Sequence, residues 1–235
     1  MSGYVTLGYE NIWTILLSIF GFIIVAVAQV RVNGAYNRTK RQKNQKGISG
    51  QEVARAILDA NGLNDIYVVE TKGTLSDHYD PTRKVVRLSA EIFEGTSIAA
   101  LSVAAHECGH AIQDKENYSF MRIRSFLAPI VNFITYIGYI VAFISLFAGI
   151  TGYLKIGIFL ILAAILFQLV TLPVEFDASK RAGEQIKKLG LIESGEDEDV
   201  KDMLGAAAMT YVAAFISSLI NLLRLVIMLS NRDDK

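Results

Sequence analysis

Two imidazoles four residues apart, with a carboxylate beside the first, occur at His106-Glu107-Cys108-Gly109-His110. Residues at i and i+4 share one face of a helix, so both rings can bind a single metal ion there. Glu107 would then lie beside the metal's open coordination position, where hydrolysis needs a base for water. So short a pattern also arises by chance, and the flanking sequence decides between the readings. Ser97 is a residue type favoured at N-caps, and Ser97 to Ala105 is rich in helix formers and small apolar residues. This predicts a helix running to about Asp114. Two of the three histidines in the chain occupy the ligand positions. The expected cofactor is one Zn2+ per chain.

The elements that must carry this motif are largely apolar. The chain is 52% hydrophobic, and its charged residues avoid long stretches. Twenty uncharged residues separate Glu10 from Arg31; thirty run from Ser125 to Leu154, and nineteen follow Lys155 up to Val174. About 20 apolar residues in a helix cross the hydrocarbon core. "AGITGY", around Gly149 and Gly152, reads as a turn between two such helices, with Lys155 near an interface. A fourth run is apolar apart from Asn221 and Arg224, and its small-residue start suits close packing. Transmembrane helices are thus expected at 11–30, 125–150, 154–174 and 205–229. Asn221 is expected to bond another helix and Arg224 to snorkel outward, in preference to lining a route to the site.

Charge asymmetry sets the expected orientation. Ala26-Val27-Ala28 looks like a signal-peptidase site, but no Lys or Arg precedes the first apolar run, whereas Arg31, Arg38, Lys40, Arg41, Lys43 and Lys46 follow it. That pattern favours a retained anchor over a cleaved signal. The run from Arg38 to Lys46 is expected to anchor the topology at anionic lipid. Residues 31–124 carry 14 basic residues, and five lie between Lys180 and Lys201. The positive-inside rule therefore puts a zinc peptidase domain, 31–124, and a second segment, 175–204, in the cytosol, with both termini outside. Whichever way the bundle points, these two segments emerge on one side.

A catalytic zinc usually takes three protein ligands and leaves the fourth position to water. Cys108 projects about 200° around the helix from His106 and is set aside. His78 is the remaining imidazole, and no third His follows the motif at metzincin spacing. After Glu116 there is no carboxylate until Glu175, in "LPVEFDASKRAGEQI", where Pro173 suits a helix kink or start.

Taken together, the HECGH helix, "LSDHYDPTRKVVRLS" at Leu75–Ser89 and "LPVEFDASKRA" at Leu172–Ala182 resemble the YugP-type neutral zinc metallopeptidases of the bacterial membrane. The layout is more distantly similar to the HtpX and CAAX prenyl endopeptidase type of membrane zinc protease. In those families a Glu following a membrane helix is the third ligand, which implies that role for Glu175. The distant families place an Asp four residues after that Glu; this chain has Ser179 there, and its own acid is Asp177.

Around the motif, Gly47 to Leu63 has apolar residues at Val53, Ala54, Ile57 and Leu58, the period of an amphipathic helix, with Gly62 as its stop. "DIYVVE" and "KVVRLS" read as two paired strands. "VVRLS" is a candidate edge for holding an extended peptide, or else an ordinary structural strand. His78, or Tyr79 beside it, is a candidate catalytic donor to the oxyanion of a scissile carbonyl; the alternative is a polar turn residue.

The expected fold class is mainly α and integral to the membrane, with four transmembrane helices and a small α+β zincin-like domain on the cytosolic face. The expected function is hydrolysis of membrane or membrane-proximal polypeptides by a zinc-activated water, with Glu107 as general base and His106, His110 and Glu175 as metal ligands. Its partners would be polypeptide substrates and the lipid bilayer, in the bacterial plasma membrane. Equal numbers of basic and acidic residues, 23 each, give no basis for nucleic-acid binding, and the single cysteine excludes an intrachain disulfide. A zinc-binding assembly or regulatory protein without turnover is the alternative. A transporter is disfavoured because most polar residues lie outside the apolar runs.

Overall fold

The computed structural model describes residues 9–147 and 153–233. In chain order the helices are α1 (Tyr9–Arg41), α2 (Gly50–Ala60), α3 (Ala90–Phe93), α4 (Ile98–Lys115), α5 (Ser119–Phe147), α6 (Tyr153–Lys188) and α7 (Asp197–Asp233). Three strands, β1 (Tyr67–Thr71), β2 (His78–Asp80) and β3 (Val85–Ser89), lie between α2 and α3. Among the described residues, three helical segments are long and apolar enough to cross a membrane: Ile12–Arg41, Ile156–Lys188 and Asp197–Arg224. The expected second span falls on α5, which is helical through Phe147 and contains Pro129. Most of the AGITGY turn, at 148–152, lies outside the described residues, as does the side chain of Lys155.

The long helices outrun the apolar segments that predicted them, because polar residues can continue a helix once its hydrogen-bond ladder is established. Pro173 accordingly lies inside α6 and does not start a helix. α6 ends where Gly190 takes φ 58° and the Leu191 N–H returns to the Ile186 carbonyl.

One compact unit comprises 1–28, 125–169 and 211–235. Many of its large apolar side chains are exposed, Trp13, Phe22, Phe126 and Phe133 among them, as expected of surfaces that meet lipid and not water. Gly138 admits the Leu160 side chain into space that a Cβ would fill, so a small residue sets the approach of α5 and α6. Arg224 does not follow the snorkelling expectation. Its Nη1 donates to Ser18 Oγ on α1 at 2.7 Å, and Ser18 Oγ donates to the Thr14 carbonyl. A hydroxyl inside the helix pair gives the guanidinium a partner at lower desolvation cost.

The second unit comprises 29–124 and 170–210. Its core joins α2, β3, α4 and parts of α6 and α7 through Val53, Ile57, Val86, Leu88, Leu101, Ala104, Val174, Ile186, Val200 and Leu204. Val53, Ala54, Ile57 and Leu58 are fully buried, as the helical period predicts. α2 begins in a capping box: the Ser49 side chain accepts from Glu52 N, and the Glu52 carboxylate accepts from Ser49 N. Gly62 stops the chain at φ 64°.

The sheet order is β1-β3-β2, with β3 parallel to β1 and antiparallel to β2. This corrects the edge assignment. "VVRLS" is the central strand, its ladder groups shared between two neighbours, and four of its five residues are buried. Val85–Ser89 is therefore the structural strand, and β1 and β2 are the edges. The basic run at the end of α1 and just beyond it is also less free than expected. Arg38 pairs with Asp202 at 2.8 Å and Asp199 at 3.4 Å, Lys40 pairs with Glu91, and Lys46 lies 3.5 Å from Glu193.

Candidate metal centre

α4 begins at the expected place. The Ser97 side chain accepts from Ala100 N at 3.1 Å, and the helix then carries His106, Glu107 and His110. Cys108 points to the other side, fully buried against α2 with its Sγ 3.6 Å from the Ala54 carbonyl. Burial away from water pushes its thiol pKa up, with the nearby Glu107 charge adding to the effect. That is the environment of a packing residue, not of a thiolate ligand.

Gly109 explains how α6 reaches α4. A Cβ at Gly109 would stand 2.5 Å from the Ala178 carbonyl oxygen, so only glycine lets the two backbones meet here. The contact brings Glu175 alongside the histidines. Its Oε2 lies 3.3 Å from His106 Nε2 and 3.7 Å from His110 Nε2. Ligand atoms of His106, His110 and Glu175 all fall within 4.8 Å of one another. His110 and Glu175 are buried and His106 is half-buried. The two rings are nearly perpendicular, at 84°, and so approach a common point from different directions.

Each of these three residues has a second contact that turns one atom away from the centre. His106 Nδ1 is 3.2 Å from Ser179 Oγ, and His110 Nδ1 is 3.0 Å from Gln113 Oε1. Both Nε2 atoms are left to face Glu175. The Arg124 guanidinium lies 3.0 Å from Glu175 Oε1, an ion pair without hydrogen-bonding geometry, so Oε1 is buried with no hydrogen-bond donor. Oε2 faces the imidazoles. Burial would lower the His110 pKa, but the Glu175 carboxylate facing its Nε2 and the charge of Glu107 outweigh it and raise the value.

Glu107 is held from the sheet. Its Oε2 accepts the Tyr79 N–H at 2.9 Å, and the Tyr79 hydroxyl donates to Asp114 at 2.8 Å. β2 is thereby pinned to one face of α4 at positions seven residues apart. At the exposed edge position His78, Nδ1 lies 2.8 Å from the Ser76 carbonyl, a contact within its own loop.

The sequence reading missed Gln113, Ser179 and Arg124. Gln113 lies three residues after His110 and Ser179 four after Glu175, and both spacings place side chains on a shared helix face. Ser179 was visible only as a departure from an expected Asp. No local spacing marks Arg124.

Apolar membrane-length helices and a largely buried two-histidine, one-glutamate cluster fit a membrane protein of the zinc-peptidase class. The chain belongs to the family described as "Putative neutral zinc metallopeptidase", which matches residues 14–230. It is 45% identical over 208 residues to the "Putative membrane protease YugP" of Bacillus subtilis (strain 168), covering 88% of this chain and 92% of that relative. No solved structure matches it.

Proposed function

We propose that the protein is a membrane-embedded zinc metalloendopeptidase hydrolysing membrane or membrane-proximal polypeptides, with His106, His110 and Glu175 as metal ligands and Glu107 as general base. The observation that carries this reading is the convergence of both Nε2 atoms on Glu175 Oε2, next to a carboxylate restrained by a backbone N–H. Two neutral imidazoles and one carboxylate form a donor set suited to zinc, of the kind that leaves a fourth position open. When bound there, zinc supplies a Lewis acid and lowers the pKa of water from near 16 toward about 7.

Glu107 accepts the proton of that water and returns it to the leaving amine. The Tyr79 N–H on Oε2 limits rotation of the carboxylate and leaves Oε1 for the proton. Arg124 and Ser179 hold Glu175 and His106 in place. His78, exposed beside Tyr79, is the proposed donor to the oxyanion. In the membrane, α5 is proposed as a fourth span, and the basic segments 31–124 and 175–204 face the cytosol with both termini outside. Substrates in or near the bilayer follow from Glu175 lying on a helix whose preceding turns are membrane-length and apolar.

The test is zinc content and proteolysis for the wild type and for Glu107→Gln in full-length protein. Zinc retained near one per chain, with proteolysis abolished by the substitution, supports the reading. Zinc retained without proteolysis in either form favours an assembly or regulatory protein, and absence of zinc from the wild type contradicts both.

A further inference from the structure

Gln113 is a fully buried polar side chain on α4, and every one of its polar atoms is used. Its Nε2 donates to the Val174 carbonyl at 2.8 Å and to Asp177 Oδ2 at 2.8 Å, both on α6. Its Oε1 faces His110 Nδ1 at 3.0 Å. Asp177 is in turn held by Arg181 Nε at 2.5 Å, and Arg181 Nη1 reaches Glu116 at 2.6 Å. An amide can be turned either way in principle, but here only one orientation is satisfied. A flipped amide would set its oxygen against a backbone carbonyl, which has no proton to give, and against a carboxylate.

The consequence reaches the ligand. An amide oxygen only accepts, so the atom facing it must be a protonated Nδ1. His110 is then restricted to forms that carry the proton on Nδ1, and neutral His110 presents its Nε2 lone pair to the metal position. The alternative tautomer would put a proton on Nε2, where zinc must bind, and two opposed acceptors at Nδ1.

We propose that Gln113 is a positioning residue that fixes the His110 tautomer, and that Asp177 with the Val174 carbonyl sets Gln113, so that α6 aims a ligand carried by α4. This rests on the reading of His110 as a metal ligand. It gives Asp177, which stands off the spacing of the distant families, a role exerted through an amide instead of by direct contact with a histidine. Outer partners of metal-bound histidines commonly contribute about 10–100-fold in metal affinity.

Three histidines in the chain make the test tractable. Full-length protein in lipid, labelled with 15N at histidine and stripped of metal by a chelator, is read by 15N magnetic resonance for the protonated ring nitrogen of His110. A His110→Ala sample assigns the signal, and zinc affinity is measured by chelator competition. The wild type is expected to hold the proton on Nδ1. Gln113→Leu is expected to move it, wholly or in part, to Nε2 and to weaken zinc binding by about 10–100-fold.

Gln113→Glu keeps an acceptor for His110 but opposes it to Asp177 and the Val174 carbonyl, and should also bind zinc more weakly. Where Gln113→Leu fails to fold, the zinc affinity of Gln113→Glu carries the test. A wild type with the proton on Nε2 alone, an unchanged tautomer and affinity in Gln113→Leu, or an unchanged zinc affinity in Gln113→Glu would each overturn the proposal. A wild type that binds no zinc would instead remove the metal reading on which it rests.

Discussion

In the proposed site, α4 delivers two candidate ligand nitrogens and the candidate general base from five consecutive positions, whereas α6 delivers one candidate ligand oxygen and a set of groups around it that hold the other side chains. Ser179 contacts His106, Asp177 and the Val174 carbonyl hold Gln113 against His110, and the Ala178 backbone fills the notch at Gly109. The helix with the recognisable motif therefore supplies most of the reacting atoms, and the other helix supplies much of their aim. Imidazoles four residues apart on an isolated helix would share a face without sharing a focus. His106 is contacted directly from α6 by Ser179, and His110 through Gln113, whose amide α6 holds.

This division predicts a graded set of losses. Glu175→Ala removes the one ligand from α6 and is expected to lose stoichiometric zinc on dialysis, a larger effect than the roughly 10–100-fold typical of outer partners. Metal analysis of dialysed protein checks it. If the α4 residues alone held zinc, the variant would remain loaded.

Gly109→Ala attacks the contact between the two helices without touching a ligand. The added methyl meets a backbone carbonyl and cannot be relieved by a rotamer change, so a cost of about 1–3 kcal/mol is expected. Thermal unfolding and zinc affinity should fall together. A stable variant with normal affinity would show that close approach is not what positions Glu175.

Ser179→Ala removes only the contact at His106 Nδ1. A loss of about tenfold in zinc affinity is expected by chelator competition, with thermal stability nearly unchanged. Smallest for the site, Ser49→Ala breaks the capping box of α2 and should cost about 1 kcal/mol of stability while leaving zinc affinity intact. The Ser49 backbone N–H, and then its hydroxyl, hold the Glu52 carboxyl below its ordinary pKa. A depressed carboxylate stabilises the fold above its unfolded pKa and loses that contribution as pH falls through its folded value. The gap between wild type and Ser49→Ala should therefore narrow on acidification in thermal melts.

What the sequence made legible follows from how local each feature is. The α4 start, the buried face of α2 and the pair of histidines rest on spacings within one helix, and each appears where periodicity and capping place it. Glu175 was accessible through the scarcity of carboxylates between Glu116 and Glu175 and through family resemblance, not through spacing. The central position of Val85–Ser89 was not legible, because a short apolar strand looks alike whether one or both edges are paired. Arg124 escaped notice because its partner comes from α6, and no one-helix period records a contact across more than fifty residues; Gln113 stands at a readable spacing from His110, but the α6 groups that orient its amide are equally remote in sequence. Arg224 was read from its distance to the end of an apolar run, whereas its hydrogen bond to Ser18 depends on helix pairing.

The most direct test of Glu175 as the third ligand is zinc K-edge X-ray absorption on stoichiometrically loaded, full-length protein. Two imidazoles and a carboxylate predict only nitrogen and oxygen neighbours at about 2.0–2.2 Å, with outer-shell scattering from two rings. A sulfur neighbour near 2.3 Å, which would bring in Cys108, or scattering from three rings, which would put His78 in place of Glu175, would contradict the account.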